Sequence, residues 1–131
     1  MALTVIILLY VAIGAMSAAG SVFIARKLFS PKAEQIFFAL FLIAIAGFYL
    51  AFTAYFGDDA AWRLETGGVM AFGVIGLVGV RVPVAVMIGY FVHGIWDVLH
   101  EMYAHGGAEA LGFQQLTEIP LAYGVFCATY D

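Results

Sequence analysis

The chain has 131 residues, of which 65% are hydrophobic and only 11% are charged, with a formal net charge of −4 and a mean hydropathy of +1.04. Soluble domains are about 25% charged, so this composition argues against a water-soluble fold and indicates an integral membrane protein. The acidic balance, with no basic run longer than Arg26-Lys27, argues against a nucleic-acid surface. The single cysteine, Cys127, excludes an intramolecular disulfide.

The apolar pattern predicts an all-α fold, a polytopic transmembrane bundle of five helices in one domain, 1–131. Two uncharged stretches, Met1–Ala25 and Ile36–Gly57, each exceed the roughly 18 apolar residues that suggest a membrane span. The predicted helices cover residues 3–25, 34–56, 60–80, 83–104 and 110–130.

Helix boundaries follow from capping residues. Ser30 and Pro31 are typical of an N-cap and a first helical residue, and Pro83 has the same role for the fourth helix. Asp59 is a candidate cap of the third helix, and the pair Gly106-Gly107 predicts the end of the fourth.

Small residues predict close helix packing in lipid. In the first helix they are Gly14, Ser17, Ala18 and Ser21, and in the third they are Gly67, Gly68, Gly73, Gly76 and Gly79.

The last predicted helix carries polar residues, among them Gln114, Gln115 and Glu118, together with Pro120. Two interpretations stay open. The segment either spans with its polar groups facing other helices, or forms a re-entrant or surface helix beside a four-helix bundle.

Basic residues set the predicted orientation. Arg26, Lys27 and Lys32 lie in the first loop and Arg81 in the third, whereas the second loop has only Arg63 beside two aspartates. The positive-inside rule therefore predicts a cytoplasmic first loop and an N-terminus outside.

Ionisable residues gather in the fourth predicted helix. At about 100° per residue, one face holds His93, Asp97, His100 and Glu101. Each would cost roughly 2.5 kcal/mol or more if it met lipid, so we expect this face to point into the bundle. An antiparallel arrangement puts Glu65 of the third helix level with the later members of this face.

Imidazole and carboxylate together suit Zn²⁺, Fe²⁺ or Mn²⁺. The predicted metal ligands are His93, Asp97, His100, Glu65 and Glu118. A partly filled site would activate a water for hydrolysis of a lipid-soluble substrate, with Glu101 as general base and Asp97 as the other catalytic candidate.

Two other classes of function remain open. In the first, His93 pairs with Asp97 in a structural network, and the chain is a subunit of a homo-oligomer or a larger membrane complex. In the second, His93, Asp97 and Glu118 pass a proton or a cation. Whether the protein is an enzyme stays undecided at this point.

The sequence argues against retinal, against nucleotide binding and against a zincin motif. Retinal needs an intramembrane lysine, and both lysines lie in the first loop. No glycine-rich phosphate loop is present, so nucleotide binding has no support. In the run of His100, Glu101 and His105 the second histidine comes five residues after the first, whereas in a zincin it comes four residues after, so that motif is rejected. Membrane lipids are the expected partners.

The residues His93, Trp96, Asp97, His100 and Glu101, together with the terminal Phe126–Asp131, give the chain a family resemblance. It resembles an uncharacterised family of small bacterial multi-pass membrane proteins without an assigned activity. The resemblance implies that Asp131 belongs with the motif residues.

Overall fold

The structure is a computed structural model that describes residues 2–56, 61–103 and 125–131. Its elements are α1 (Ala2–Leu28), α2 (Pro31–Phe56), α3 (Ala61–Gly79), α4 (Pro83–Tyr103) and α5 (125–130). The described ranges contain no β-strand, so the prediction of an all-α fold is confirmed.

The first two helices are longer than the predicted ranges. The predicted end of α1 at residue 25 is wrong, because Arg26 and Lys27 form part of its last turn, where positive charge is favoured by the helix dipole. The predicted start of α2 at residue 34 is also too late. Ser30 accepts a bond from Ala33 N at its hydroxyl, at 3.4 Å, so the Ser30-Pro31 start signal is confirmed.

The other two long helices lie within about a residue of their predicted bounds. Residues 57–60 and 104–124 lie outside the described part of the chain. The cap at Asp59, the stop at Gly106-Gly107 and most of the predicted helix 110–130 therefore stay predictions.

The described helices divide into two compact units. The first unit comprises the described parts of Met1–Ile24 and Phe91–Asp131, and the second comprises those of Ala25–Tyr90. Each unit has its own packing. The single domain over 1–131 stays a prediction.

In the second unit, α2 and α3 pack closely at a glycine. A Cβ built on Gly76 would lie 2.5 Å from Ile43 Cγ1 and 2.7 Å from the carbonyl oxygen of Ala39. No other residue leaves room for that approach. Among the described residues, a Cβ on Gly67 or Gly73 would meet nothing within 4 Å, so the predicted glycine contact holds for Gly76 and is not seen there for those two.

Side chains at the start of α2 bind the end of α3. Lys32 Nζ donates to the carbonyl oxygen of Val80 at 2.6 Å, and Gln35 Nε2 donates to that of Gly79 at 2.7 Å. The last carbonyls of a helix have no partner within it. These two bonds supply partners, and they fix the start of α2 against the turn that follows α3.

Within the part of the chain that the structure describes, two helices are long and apolar enough to cross a membrane, Thr4–Leu28 and Pro31–Tyr55. A third apolar stretch, Pro83–Leu99, is shorter.

Candidate functional site

Helix α4 brings His93 and Asp97 together in the first unit. Residues four apart lie on the same face of a helix, and His93 Nδ1 is 3.2 Å from Asp97 Oδ2. The two side chains are only 3% and 1% exposed. The predicted contact between this histidine and this aspartate is therefore confirmed.

Helix α5 brings a second carboxylate to the same nitrogen. Asp131 Oδ2 lies 2.6 Å from His93 Nδ1, and the Asp131 side chain is 3% exposed. The Asp131 N–H donates to the carbonyl oxygen of Cys127 at 2.9 Å, which continues the helical pattern of α5. The orientation of that helix thus decides where the Asp131 carboxylate lies.

Two glycines allow α5 to approach the long helices of the first unit. A Cβ on Gly14 of α1 would lie 2.6 Å from the carbonyl oxygen of Phe126 and 3.0 Å from Thr129 Cβ. A Cβ on Gly94 of α4 would lie 3.1 Å from the carbonyl oxygen of Ala128. Both positions carry no side chain, so the backbones meet directly. Gly94 directly follows His93 in the chain, so this contact lies beside the histidine.

One polar bond attaches α5 to α1, and a second lies within α5. Tyr130 donates its hydroxyl to Ser21 Oγ of α1 at 2.9 Å. Thr129 Oγ1 donates to the carbonyl oxygen of Val125 at 2.6 Å, within α5 itself. Gly14 and Ser21 are two of the small residues that predicted close packing of the first helix, and both contact α5.

The result is a compact group of three metal-ligating side chains. One ligand atom each from His93, Asp97 and Asp131 lies within 4.8 Å of the others. One nitrogen and two carboxylate oxygens can hold a divalent cation, and the same atoms can share protons.

Of the other four predicted site residues, one lies in the second unit and three have side chains outside the described part of the chain. Glu65 is buried on α3, in the second unit. His100 and Glu101 belong to the last turns of α4, but their side chains lie outside the described part, as does the whole of Glu118. The roles of these four residues, including Glu101 as general base, stay predictions.

The spacing of residues in the sequence did not identify Asp131 as a member of this cluster. It is 38 residues from His93, and no local pattern joins the two. The only signal was the family resemblance, which implied that Asp131 belongs with the motif residues.

Comparison with known proteins gives one match. Residues 9–119 match a family of unknown function, DUF6010. No curated protein and no solved structure matches the chain. The matched range includes His93 and Asp97 and leaves out Asp131. The predicted resemblance to an uncharacterised family is confirmed.

Proposed function

This chain belongs to the DUF6010 family of unknown function, and we propose that it is a multi-pass membrane protein that binds a divalent metal ion between His93, Asp97 and Asp131. One observation carries the proposal: the imidazole and the carboxylate of His93 and Asp97 on α4 meet the carboxylate of Asp131 at the end of α5, in a buried position.

Apolar side chains on the outside of the helices support insertion in a bilayer. The most apolar windows of Thr4–Leu28 and Pro31–Tyr55 are only 6% and 24% buried, whereas a core helix of a soluble protein is mostly buried. Met16, Met70 and Met87 lie on three different helices and are 73%, 68% and 71% exposed. Lipid is the solvent that suits such a surface.

The proposed topology has α1 to α4 as membrane spans. Arg26, Lys27 and Lys32 then lie in the cytoplasm with the first loop, and the N-terminus lies outside. The last turn of α4, with His100 and Glu101, would lie toward the outer side of the membrane.

Charge balance favours a cation in the cluster. If the imidazole is neutral and both carboxylates are ionised, the cluster has two negative charges at side chains that are 1% and 3% exposed. An uncompensated buried charge costs several kcal/mol. A divalent cation would neutralise both carboxylates at once, and His93 would act as its neutral nitrogen ligand.

Two distances from His93 can be compared with those of a metal site. Zinc lies about 2.0–2.2 Å from nitrogen and oxygen ligands, so neighbouring ligand atoms of a tetrahedral site are about 3.3 Å apart. The 3.2 Å between His93 Nδ1 and Asp97 Oδ2 agrees with that value. The 2.6 Å between Nδ1 and Asp131 Oδ2 is a hydrogen-bond distance, so Asp131 would move away by about 0.5–1 Å when a metal binds.

The chemistry proposed for such a site is hydrolysis of a lipid-soluble ester or amide. Three protein ligands leave a position open for water, as in catalytic zinc sites, and a bound divalent cation supplies hydroxide near neutral pH. Glu101 lies one helical turn beyond Asp97 and is the proposed general base.

A second candidate is a hydrogen-bonded network without metal. It is favoured by the 2.6 Å contact of His93 with Asp131, which a shared proton explains without any movement. Such a network would lock α4 and α5 together in a structural subunit or an oligomer, or would pass protons in transport.

Elemental analysis of the detergent-purified protein tests the first candidate. The protein is prepared from cells supplemented with zinc, iron and manganese, beside His93→Gln and Asp131→Asn. Glu34→Gln is the matched control, because it also neutralises a carboxylate but one that pairs with Arg26, at 3.6 Å, in the second unit.

We expect near-stoichiometric metal in the parent and in Glu34→Gln, and an affinity at least about tenfold lower in both site variants. A parent without metal after supplementation contradicts the metal site. In that case, unfolding at lower temperature for Asp131→Asn than for Glu34→Gln supports the network instead.

A further inference from the structure

Four of the five basic residues of the chain lie at one end of the second unit. They are Arg26, Lys27, Lys32 and Arg81, and together they are named the basic end. All four are exposed. The remaining basic residue, Arg63, lies on the first turn of α3, close to the opposite end of that helix.

One contact joins the two turns that carry the basic end, and a second lies within the α1–α2 turn. Lys32 Nζ donates to the carbonyl oxygen of Val80, the residue before Arg81, at 2.6 Å. Arg26 Nε lies 3.6 Å from Glu34 Oε1. The α1–α2 turn and the α3–α4 turn therefore share one surface.

The charge of this surface is opposite to that of the whole chain. The segments 25–35 and 79–84 hold the four cations and a single acidic residue, Glu34, whereas the chain as a whole has a formal net charge of −4. Within these two segments the cations outnumber the carboxylate four to one, so the basic end is complementary to an anionic partner.

Exposed apolar residues lie directly beside the cations. Leu28 follows Lys27, and Val82 follows Arg81, and both side chains are exposed. A cation next to an apolar side chain at the end of a membrane helix can bind a phosphate while its neighbour contacts the upper part of an acyl chain. A nucleic acid or a soluble anion would make no use of the apolar pair.

We propose that the basic end binds the headgroup phosphate of an anionic phospholipid in the cytoplasmic leaflet. Arg81 is the principal contact, since guanidinium groups bind phosphate through two parallel hydrogen bonds, and Arg26 and Lys27 supply the second side of the site. Lys32 stays bound to Val80 and contributes its charge. The inference rests on membrane insertion alone and is independent of the metal site.

Native mass spectrometry of the protein released from nanodiscs tests this inference. The nanodiscs contain phosphatidylglycerol and phosphatidylcholine in equal amounts, and the lipids retained by the protein are counted. The variants are Arg81→Gln, Arg81→Lys, and the double variant Arg26→Gln, Lys27→Gln. Arg63→Gln is the matched control, because it removes the one cation outside the basic end.

We expect the parent protein to retain phosphatidylglycerol in preference to phosphatidylcholine, and this preference to weaken as the salt concentration rises. Arg81→Gln and the double variant should each reduce it about fivefold for every cation removed. Arg81→Lys keeps the charge but loses the paired hydrogen bonds, so its preference should lie between that of the parent and that of Arg81→Gln, and Arg63→Gln should match the parent.

Equal retention of both lipids by the parent would overturn the inference. A loss in Arg63→Gln as large as that in Arg81→Gln would overturn it too, because the effect would then follow net charge and not this surface. Thermal unfolding in phosphatidylcholine nanodiscs checks that each variant is folded. The double variant lies on a different turn from Arg81, so it tests the surface even if Arg81→Gln does not fold.

Discussion

Replacing Gly14 by alanine is expected to push α5 away from α1 and to draw Asp131 away from His93. The new Cβ would lie 2.6 Å from the carbonyl oxygen of Phe126, whereas carbon and oxygen atoms in contact are normally about 3.3–3.6 Å apart. The backbone must therefore shift by about 0.7–1 Å. A shift of that size along the direction of Asp131 would break its 2.6 Å hydrogen bond to His93.

The change in stability should be smaller than the change at the site. Overpacking costs about 1–3 kcal/mol, but alanine is favoured over glycine inside a helix by about 1 kcal/mol. The net cost is then about 0–2 kcal/mol, and the protein stays folded. Metal affinity at the proposed site should differ from that of the parent, because the shift is as large as the movement of about 0.5–1 Å that metal binding requires of Asp131.

Labelling of Cys127 with a maleimide measures the position of α5 independently of metal. Cys127 is the only cysteine, lies on α5 and is half-buried. We expect its labelling rate to rise several-fold in Gly14→Ala. The control is Gly20→Ala on the same helix, where a Cβ would meet none of the residues in 2–56, 61–103 and 125–131 within 4 Å. Equal labelling rates and metal affinities in the two variants would refute the reasoning.

Three further predictions follow from other contacts. Tyr130→Phe removes the hydrogen bond to Ser21 Oγ and should lower the free energy of unfolding by about 0.5–1.5 kcal/mol. It should also raise the labelling rate of Cys127. An unchanged unfolding midpoint and an unchanged labelling rate would count against that contact. Gln35→Leu removes a partner of the Gly79 carbonyl and should cost about 1 kcal/mol in thermal unfolding; a variant as stable as the parent would argue against that cap. Metal affinity should fall as the pH is lowered, because protons compete with the metal for imidazole and carboxylate, and affinity that is constant from pH 7 to about 5 would contradict these ligands.

The local parts of the fold followed from the sequence. Ser30 and Pro31 predicted the start of α2 because capping depends on neighbouring residues only. Helix α1 extends past its predicted end at about residue 25, because Arg26 and Lys27 have a favourable position in its last turn.

The long-range parts of the candidate site could not be predicted in the same way. The contact of His93 with Asp97 follows from four-residue spacing on one helix, whereas that with Asp131 depends on how α5 packs. The number of glycines does not show which of them contacts a neighbouring helix. Gly14 contacts α5, whereas a Cβ on Gly73 would meet none of the described residues within 4 Å. Which glycine meets a neighbour depends on helix positions that composition does not contain.

X-ray absorption at the zinc edge of the zinc-loaded protein tests the metal site most directly. We expect nitrogen and oxygen ligands at about 2.0–2.2 Å from the zinc in the parent protein. One imidazole ligand should disappear in His93→Gln, and one carboxylate ligand should disappear in Asp131→Asn. A spectrum without imidazole, or one that is unchanged in both variants, would contradict a metal ion held by His93, Asp97 and Asp131.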